Sequence, residues 1–241
     1  MATGIWKWNS PNLGGKEIEV IRYGHVGPPM IVFPTHTATA WQFEDYGMPA
    51  DCGHLLAAHR IQFFSISGFN KESWCNTAIP PRERVLAHLG YERFVLEEVV
   101  PLVRDVAQND RIGCMGCSFG AYHALHMGLK HPEVFKVALA FMGVYDLKGE
   151  MDGYYDEDFY YCNPPDYVAN LTDRRFLDQY GRTTTLVLVG GEADPFHHST
   201  QRMHEIMQRA GVAHWYEVWP QAGHHEHWWK QQLPYLLEKL Y

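Results

Sequence analysis

Several things are missing from this sequence, and each absence narrows what it can be. It has no run of Lys or Arg that could track a phosphate backbone. Its formal net charge is −8, from 28 acidic and 20 basic residues, which points away from nucleic acid as a partner. No stretch approaches the ~20 consecutive apolar residues that a membrane-spanning helix needs, so no membrane partner is expected. The opening residues Met1 to Ser10 lack the basic segment and apolar core of a secretion signal, and a cytoplasmic location is the expectation. Cysteine is scarce. Cys52, Cys75, Cys114, Cys117 and Cys162 are odd in number and lack scaffold-like spacing, which suits a reducing compartment. Repeats, linkers and low-complexity tracts are also absent. A chain of 241 residues with 46% hydrophobic content can bury a sizeable core, and residues 1–241 are expected to form a single domain.

The most informative stretch is Cys114 to Ala121. An apolar run beginning at Ile112 stops at Gly116-Cys117-Ser118-Phe119-Gly120, and a helix-like segment follows. A GxSxG pentapeptide between a strand and a helix is the pattern of a nucleophile elbow. There the two glycines let strand and helix backbones approach closely, and the central serine is forced into a strained, exposed turn. Ser118 is therefore the candidate nucleophile. A serine hydroxyl is a weak nucleophile near neutral pH and needs a histidine base and a carboxylate that orients it. Downstream, Gly191-Glu192-Ala193-Asp194-Pro195 follows a strand-like run ending at Gly190, and Ala222-Gly223-His224 follows a second run from Trp215 to Trp219. Ser, acid, His is the chain order this motif requires, each at the C-terminal end of an expected strand, where open α/β sheets place their sites. Spacing alone leaves Glu192 and Asp194 both open as the acid. His225 and His227 rival His224, but only His224 directly follows Gly223 at the strand end.

The remaining chain alternates strands and helices. Ile5 to Trp8 and Glu17 to Tyr23 read as a hairpin at the sheet edge, and Met30 to Phe33 and Ile61 to Ser67 as strands, with a short helix between them from Pro49 to His59. Pro80-Pro81 opens a long helix to about Ala107. Ala121 to Lys130, Ser199 to Ala210 and His227 to Tyr241 read as further helices, and Lys136 to Met142 as a strand. The expected fold class is α/β, an α/β-hydrolase fold with a mostly parallel central sheet flanked by helices. The rhythm breaks between about 144 and 180, where Tyr154, Tyr155, Phe159, Tyr160 and Tyr161 crowd among acidic residues, as expected of a short cap-like insertion or pocket wall.

Other side chains invite alternative readings. His197-His198 and the cluster His224-His225-Glu226-His227 could suggest a metal, but no HExxH helix or other recognised ligand spacing accompanies them, so no metal and no cofactor is expected. His123, His126 and Lys130 need only share one helix face. Cys114 and Cys117 spell CxxC, yet a spacing of three along a strand points the thiols to opposite faces, which argues against a redox pair. Trp41, Trp74, Tyr154 and Tyr155 lie near the expected catalytic edge and are candidates for substrate contact.

Across nearly its whole length the chain resembles the α/β-hydrolase "putative esterase" family, which includes S-formylglutathione hydrolases and feruloyl esterases, and it is most like a branch of small bacterial esterases. The matching stretches are Val32 to Thr35, Ser118 to Tyr122, Gly143 to Leu147, Asn163-Pro164 through Asp173, and Trp229 to Pro234. The resemblance implies a nucleophile at Ser118, an acid at Asp194 and a base at His224. It implies a serine esterase acting on a small-molecule ester, with the backbone N–H of Phe119 and one N–H from the His36-Thr37 turn as oxyanion donors. Where that branch carries a glycine-rich turn after the first parallel strand, this chain has His36-Thr37-Ala38-Thr39. An acyltransferase using the same triad, and a hydrolase-fold binding protein without turnover, are the other readings the sequence allows.

Overall fold

The runs that read as unbroken apolar stretches are the strands buried on both faces. The computed structural model describes residues 1–241. The edge hairpin β1 (Gly4–Ser10) and β2 (Lys16–Tyr23) leads into β3 (Pro29–Phe33) and then into three short helices, α1 (Gln42–Asp45), α2 (Met48–Asp51) and α3 (Gly53–Ala57). After β4 (Gln62–Ile66) come α4 (Pro81–Phe94) and α5 (Val100–Ala107), followed by β5 (Gly113–Cys117), α6 (Phe119–Lys130) and β6 (Val137–Phe141). The insertion holds α7 (Glu157–Cys162), α8 (Pro164–Ala169) and α9 (Arg174–Leu177). Finally come β7 (Thr185–Gly191), α10 (His197–Arg209), β8 (Trp215–Trp219) and α11 (Glu226–Leu240).

The eight strands form one sheet in the order β1-β2-β4-β3-β5-β6-β7-β8. The β1–β2 and β2–β4 pairs are antiparallel and all others parallel, so the architecture is the α/β-hydrolase fold. Every residue of β3 to β6 is buried, whereas β1 alternates and β8 is half-buried throughout, as a two-sided centre and exposed edges require. From β3 the chain passes to β4 on one side and then crosses back to β5 on the other. The strand order therefore reverses between β3 and β5, where such sheets open a crevice at their C-terminal ends. One face carries a core that includes α5, α6 and α10, and the other a core under α1 to α3 and α11. Cys114 belongs to the first core and Cys117 to the second, so the two thiols do lie on opposite faces. No helix is long and apolar enough to cross a membrane.

Three expected elements are built differently. The helix expected from Pro49 to His59 is two short ones, broken at Cys52. The long helix from Pro81 contains a π-helical turn over Val95–Val99. Pro101 has no N–H for the preceding turn and its ring would strike a carbonyl there, and a wider turn absorbs both defects. The insertion is largely helical and is packed onto the body. Phe159, Cys162 and Val168 enter the core, while Arg82 of α4 bonds both Asp156 and Asp158 at 2.6 Å.

Beneath α6 lies a buried polar cluster. Glu92 accepts hydrogen bonds from His126 and His131, each at 3.1 Å, and lies 2.7 Å from the Lys130 ammonium. Burial opposes its ionisation, but the bonds from His126 and His131 and the charge of Lys130 outweigh burial and hold the carboxyl below its usual range. Burial pushes His126 down to about 4 and His123 to about 3, and His88 well below 6.5. These histidines are neutral when folded and protonate near 6.5 when unfolded, so the unfolded chain binds more protons below that pH. Stability is therefore present above pH 6.5 and falls as pH drops toward 4, by up to about 1.4 kcal/mol per pH unit for each histidine. Glu92, its pKa depressed, adds a further loss only below its unfolded value of 4.5. Urea midpoints at pH 7 and pH 5 check this, and equal midpoints would refute it.

Candidate active site

Ser118 caps β5 with φ 57° and ψ −121°, a conformation that L residues rarely adopt. The two glycines of the pentapeptide make the turn possible. A Cβ on Gly116 would sit 2.1 Å from the Gly120 carbonyl oxygen, and one on Gly120 would sit 2.5 Å from that of Phe33, at the end of β3. The Ser118 N–H is tied to the Phe141 carbonyl at 2.9 Å, anchoring the elbow to β6. Phe119 is the first residue of α6, and an N–H in the first turn of a helix has no partner within it.

The three side chains singled out from chain order meet in one place. The Ser118 Oγ lies 2.9 Å from His224 Nε2, and His224 Nδ1 lies 3.0 Å from Asp194 Oδ1. A carboxylate can only accept, so Nδ1 carries the imidazole proton and Nε2 is left to accept from the serine hydroxyl. The Asp194 side chain is completely buried, and its Oδ1 also accepts the Phe196 N–H at 2.9 Å. Its Oδ2 has no partner. The imidazole is clamped by two aromatic rings, Phe196 at 5.0 Å and Trp229 at 5.3 Å, both edge-on. The rival residues point elsewhere: Glu192 is exposed, the His225 ring accepts the backbone N–H of His227 at the start of α11, and the His227 ring pairs with Gln231.

After β3, residues 35–38 form a β-turn closed by the Ala38 N–H to the Thr35 carbonyl at 3.0 Å. Gln42 grips its first residue, accepting the Thr35 N–H at 2.8 Å and donating to the Thr35 hydroxyl at 2.6 Å. The His36 ring faces Phe119 at 6.2 Å, so this turn sits beside the elbow.

The four residues proposed for substrate contact fare differently. Trp74 is fully buried, packed against His88, Tyr122 and Phe159, and is a core side chain rather than a substrate platform. A loop position gave no warning of this, because the loop itself folds inward. Tyr154 and Tyr155 donate to Asp156 and Asp166 and make no hydrogen bond or ring contact with Ser118, Asp194 or His224. Trp41 is half-buried on the second core. Sequence reasoning passed over Gln42, Asn70 and Phe196. No motif flags them, since each acts through a fold contact.

A family model described as the prolyl oligopeptidase family matches residues 101–241, more than half of the chain and all three of these side chains. The chain belongs to the prolyl oligopeptidase family. That membership makes it a serine hydrolase. Among curated proteins none matches it. Its solved structural neighbours include the two kinds of esterase named by the sequence resemblance. A ferulic acid esterase is 16% identical with a TM-score of 0.77, covering 97% of this chain and 95% of that one. An S-formylglutathione hydrolase from Staphylococcus aureus is 12% identical with a TM-score of 0.70, covering 99% and 97%. A protein named as a dipeptidyl aminopeptidase IV from Bacteroides ovatus is 16% identical with a TM-score of 0.66, covering 98% of this chain but 36% of its own length.

Proposed function

We propose that this protein is a serine esterase that hydrolyses small carboxylic esters through an acyl-enzyme. The observation that carries this is the unbroken chain Ser118, His224, Asp194, with contacts of 2.9 and 3.0 Å. Ser118 attacks the ester carbonyl while His224 Nε2 takes its proton and then passes it to the departing alcohol. Water repeats the sequence on the acyl group, and Asp194 holds the imidazole tautomer and stabilises the imidazolium. The Phe119 N–H and an N–H of the His36-Thr37 turn bind the oxyanion, each worth ~3 kcal/mol of barrier. Phe196, whose ring packs on His224, also lines a cavity of about 230 Å³ together with Val144, Tyr145, Asp146, His198 and Arg202. No step calls for a metal or organic cofactor.

The family match favours a second reading, peptide hydrolysis by the same three groups. Esterase is preferred because the two esterases are covered almost end to end, whereas the dipeptidyl aminopeptidase is covered over about a third of its length. A panel of chromogenic esters graded by acyl length, run beside peptide anilides, tests the choice. Turnover of short esters with kcat/KM at least 100-fold above any anilide is expected. The reverse ranking would make it a peptidase. A competing alcohol in the same assay separates hydrolysis from acyl transfer by product.

A further inference from the structure

We propose that Asn70 is a positioning residue that sets the direction of the oxyanion-binding peptide between His36 and Thr37, using His123 of the elbow helix as its anchor. The inference rests on the acyl-enzyme reading above. Its basis is the geometry of one amide. The His36 C=O and the Thr37 N–H belong to the same planar trans peptide and so point in opposite directions, and whatever holds the carbonyl aims the N–H. Asn70 donates from Nδ2 to the His36 carbonyl at 2.6 Å. Neither the His36 N–H nor the Thr37 N–H has a partner of its own.

The closing bond of the turn does not by itself choose an orientation. The bond from Ala38 N–H to the Thr35 carbonyl is compatible with two turn types that differ by a flip of the central peptide. A glycine at the third position would accept either type. This chain has Thr37 there, a β-branched residue strained by the positive φ of the flipped type, so Thr37 and the Asn70 bond favour the same orientation. Asn70 adds a fixing contact from another loop, on the carbonyl side of the same peptide.

Asn70 is itself held. It is 2% exposed, and its Oδ1 accepts from His123 Nε2 at 2.8 Å. Burial keeps His123 neutral, so Nε2 can carry the ring's one proton as a donor, which turns the Asn70 amide group toward His36. The His123 ring packs on Phe33, Tyr91 and Phe119 at 5.6, 5.2 and 5.8 Å. His123 and the Phe119 N–H ride on the same helix, so α6 carries one oxyanion donor directly and governs the other through Asn70.

The test uses the full chain and compares wild type with Asn70→Ala and the near-isosteric Asn70→Asp, which keeps an acceptor for His123 but has no donor for His36. Four quantities are read: kcat and KM on the best ester, inhibition by a trifluoromethyl ketone whose adduct needs the oxyanion site, and Tm. Both variants are expected to lose 10- to 100-fold in kcat with KM changed less than threefold, and to weaken ketone binding by a similar factor, consistent with partial loss of one oxyanion donor. If wild type is active but the folded variants keep kcat and ketone inhibition within twofold, the proposal is overturned. It is also overturned if kcat falls while ketone binding does not. Absence of any Ser118-dependent activity in wild type would instead remove the esterase reading, a separate result.

Discussion

Ser118→Ala is expected to lower kcat on the best ester by 10⁴- to 10⁶-fold and to abolish labelling by a fluorophosphonate, while the fold is retained. The size follows from how the three groups act as a unit. Without the hydroxyl, His224 has no proton to take and the acyl-enzyme cannot form, and only the oxyanion donors and binding remain to help water. The label is the sharper readout because it needs both an activated serine and an oxyanion site. In the wild-type protein one equivalent should attach at Ser118, whose Oγ already lies 2.9 Å from His224 Nε2. Persistent turnover in the alanine variant would place the nucleophile elsewhere. An active but unlabelled wild type would refute the acyl-enzyme route.

The second large effect belongs to the acid. Asp194→Asn should reduce kcat by roughly 10⁴-fold with little change in KM, because an amide can donate to Nδ1 and so favours the wrong imidazole tautomer. Glu192→Gln should be close to neutral. Asp194 is buried and within 3.0 Å of His224 Nδ1, whereas Glu192 is exposed on the same turn. The Asp194 carboxylate is also held by the Phe196 N–H, and the asparagine variant disturbs that contact too, so a modest loss of Tm is part of the expectation. Measuring kcat and KM for both variants decides the matter. A loss confined to Glu192→Gln would move the acid to the neighbouring carboxylate and dissolve the triad of Ser118, His224 and Asp194.

Much of the architecture was legible because its signals are local or follow chain order. Unbroken apolar runs identify central strands, and Gly116-Cys117-Ser118-Phe119-Gly120 prescribes a turn that only glycine-flanked backbone can make. The order of serine, acid and histidine follows from strand succession. What stayed hidden depends on contacts between distant segments. Trp74 looks like a loop residue until the loop is seen folded over His88, and spacing alone left Glu192 open beside Asp194, which the family resemblance favoured and which turns inward in the fold. Asn70 carries no motif at all, since its meaning lies in touching residues 34 and 53 positions away. The π-turn at Val95–Val99 was concealed by an apolar periodicity that a single Pro101 interrupts without ending the helix.

The backbone of Ser118 has a consequence for anyone who would engineer this protein. Its φ of 57° and ψ of −121° cost an L residue about 1–3 kcal/mol, and glycine would carry little of that cost. A library ranked by melting temperature alone would therefore favour Ser118→Gly, the one change that both relaxes the elbow and deletes its hydroxyl. Thermostability and turnover pull in opposite directions at this residue, so any selection for a hardier variant has to score catalysis in the same round.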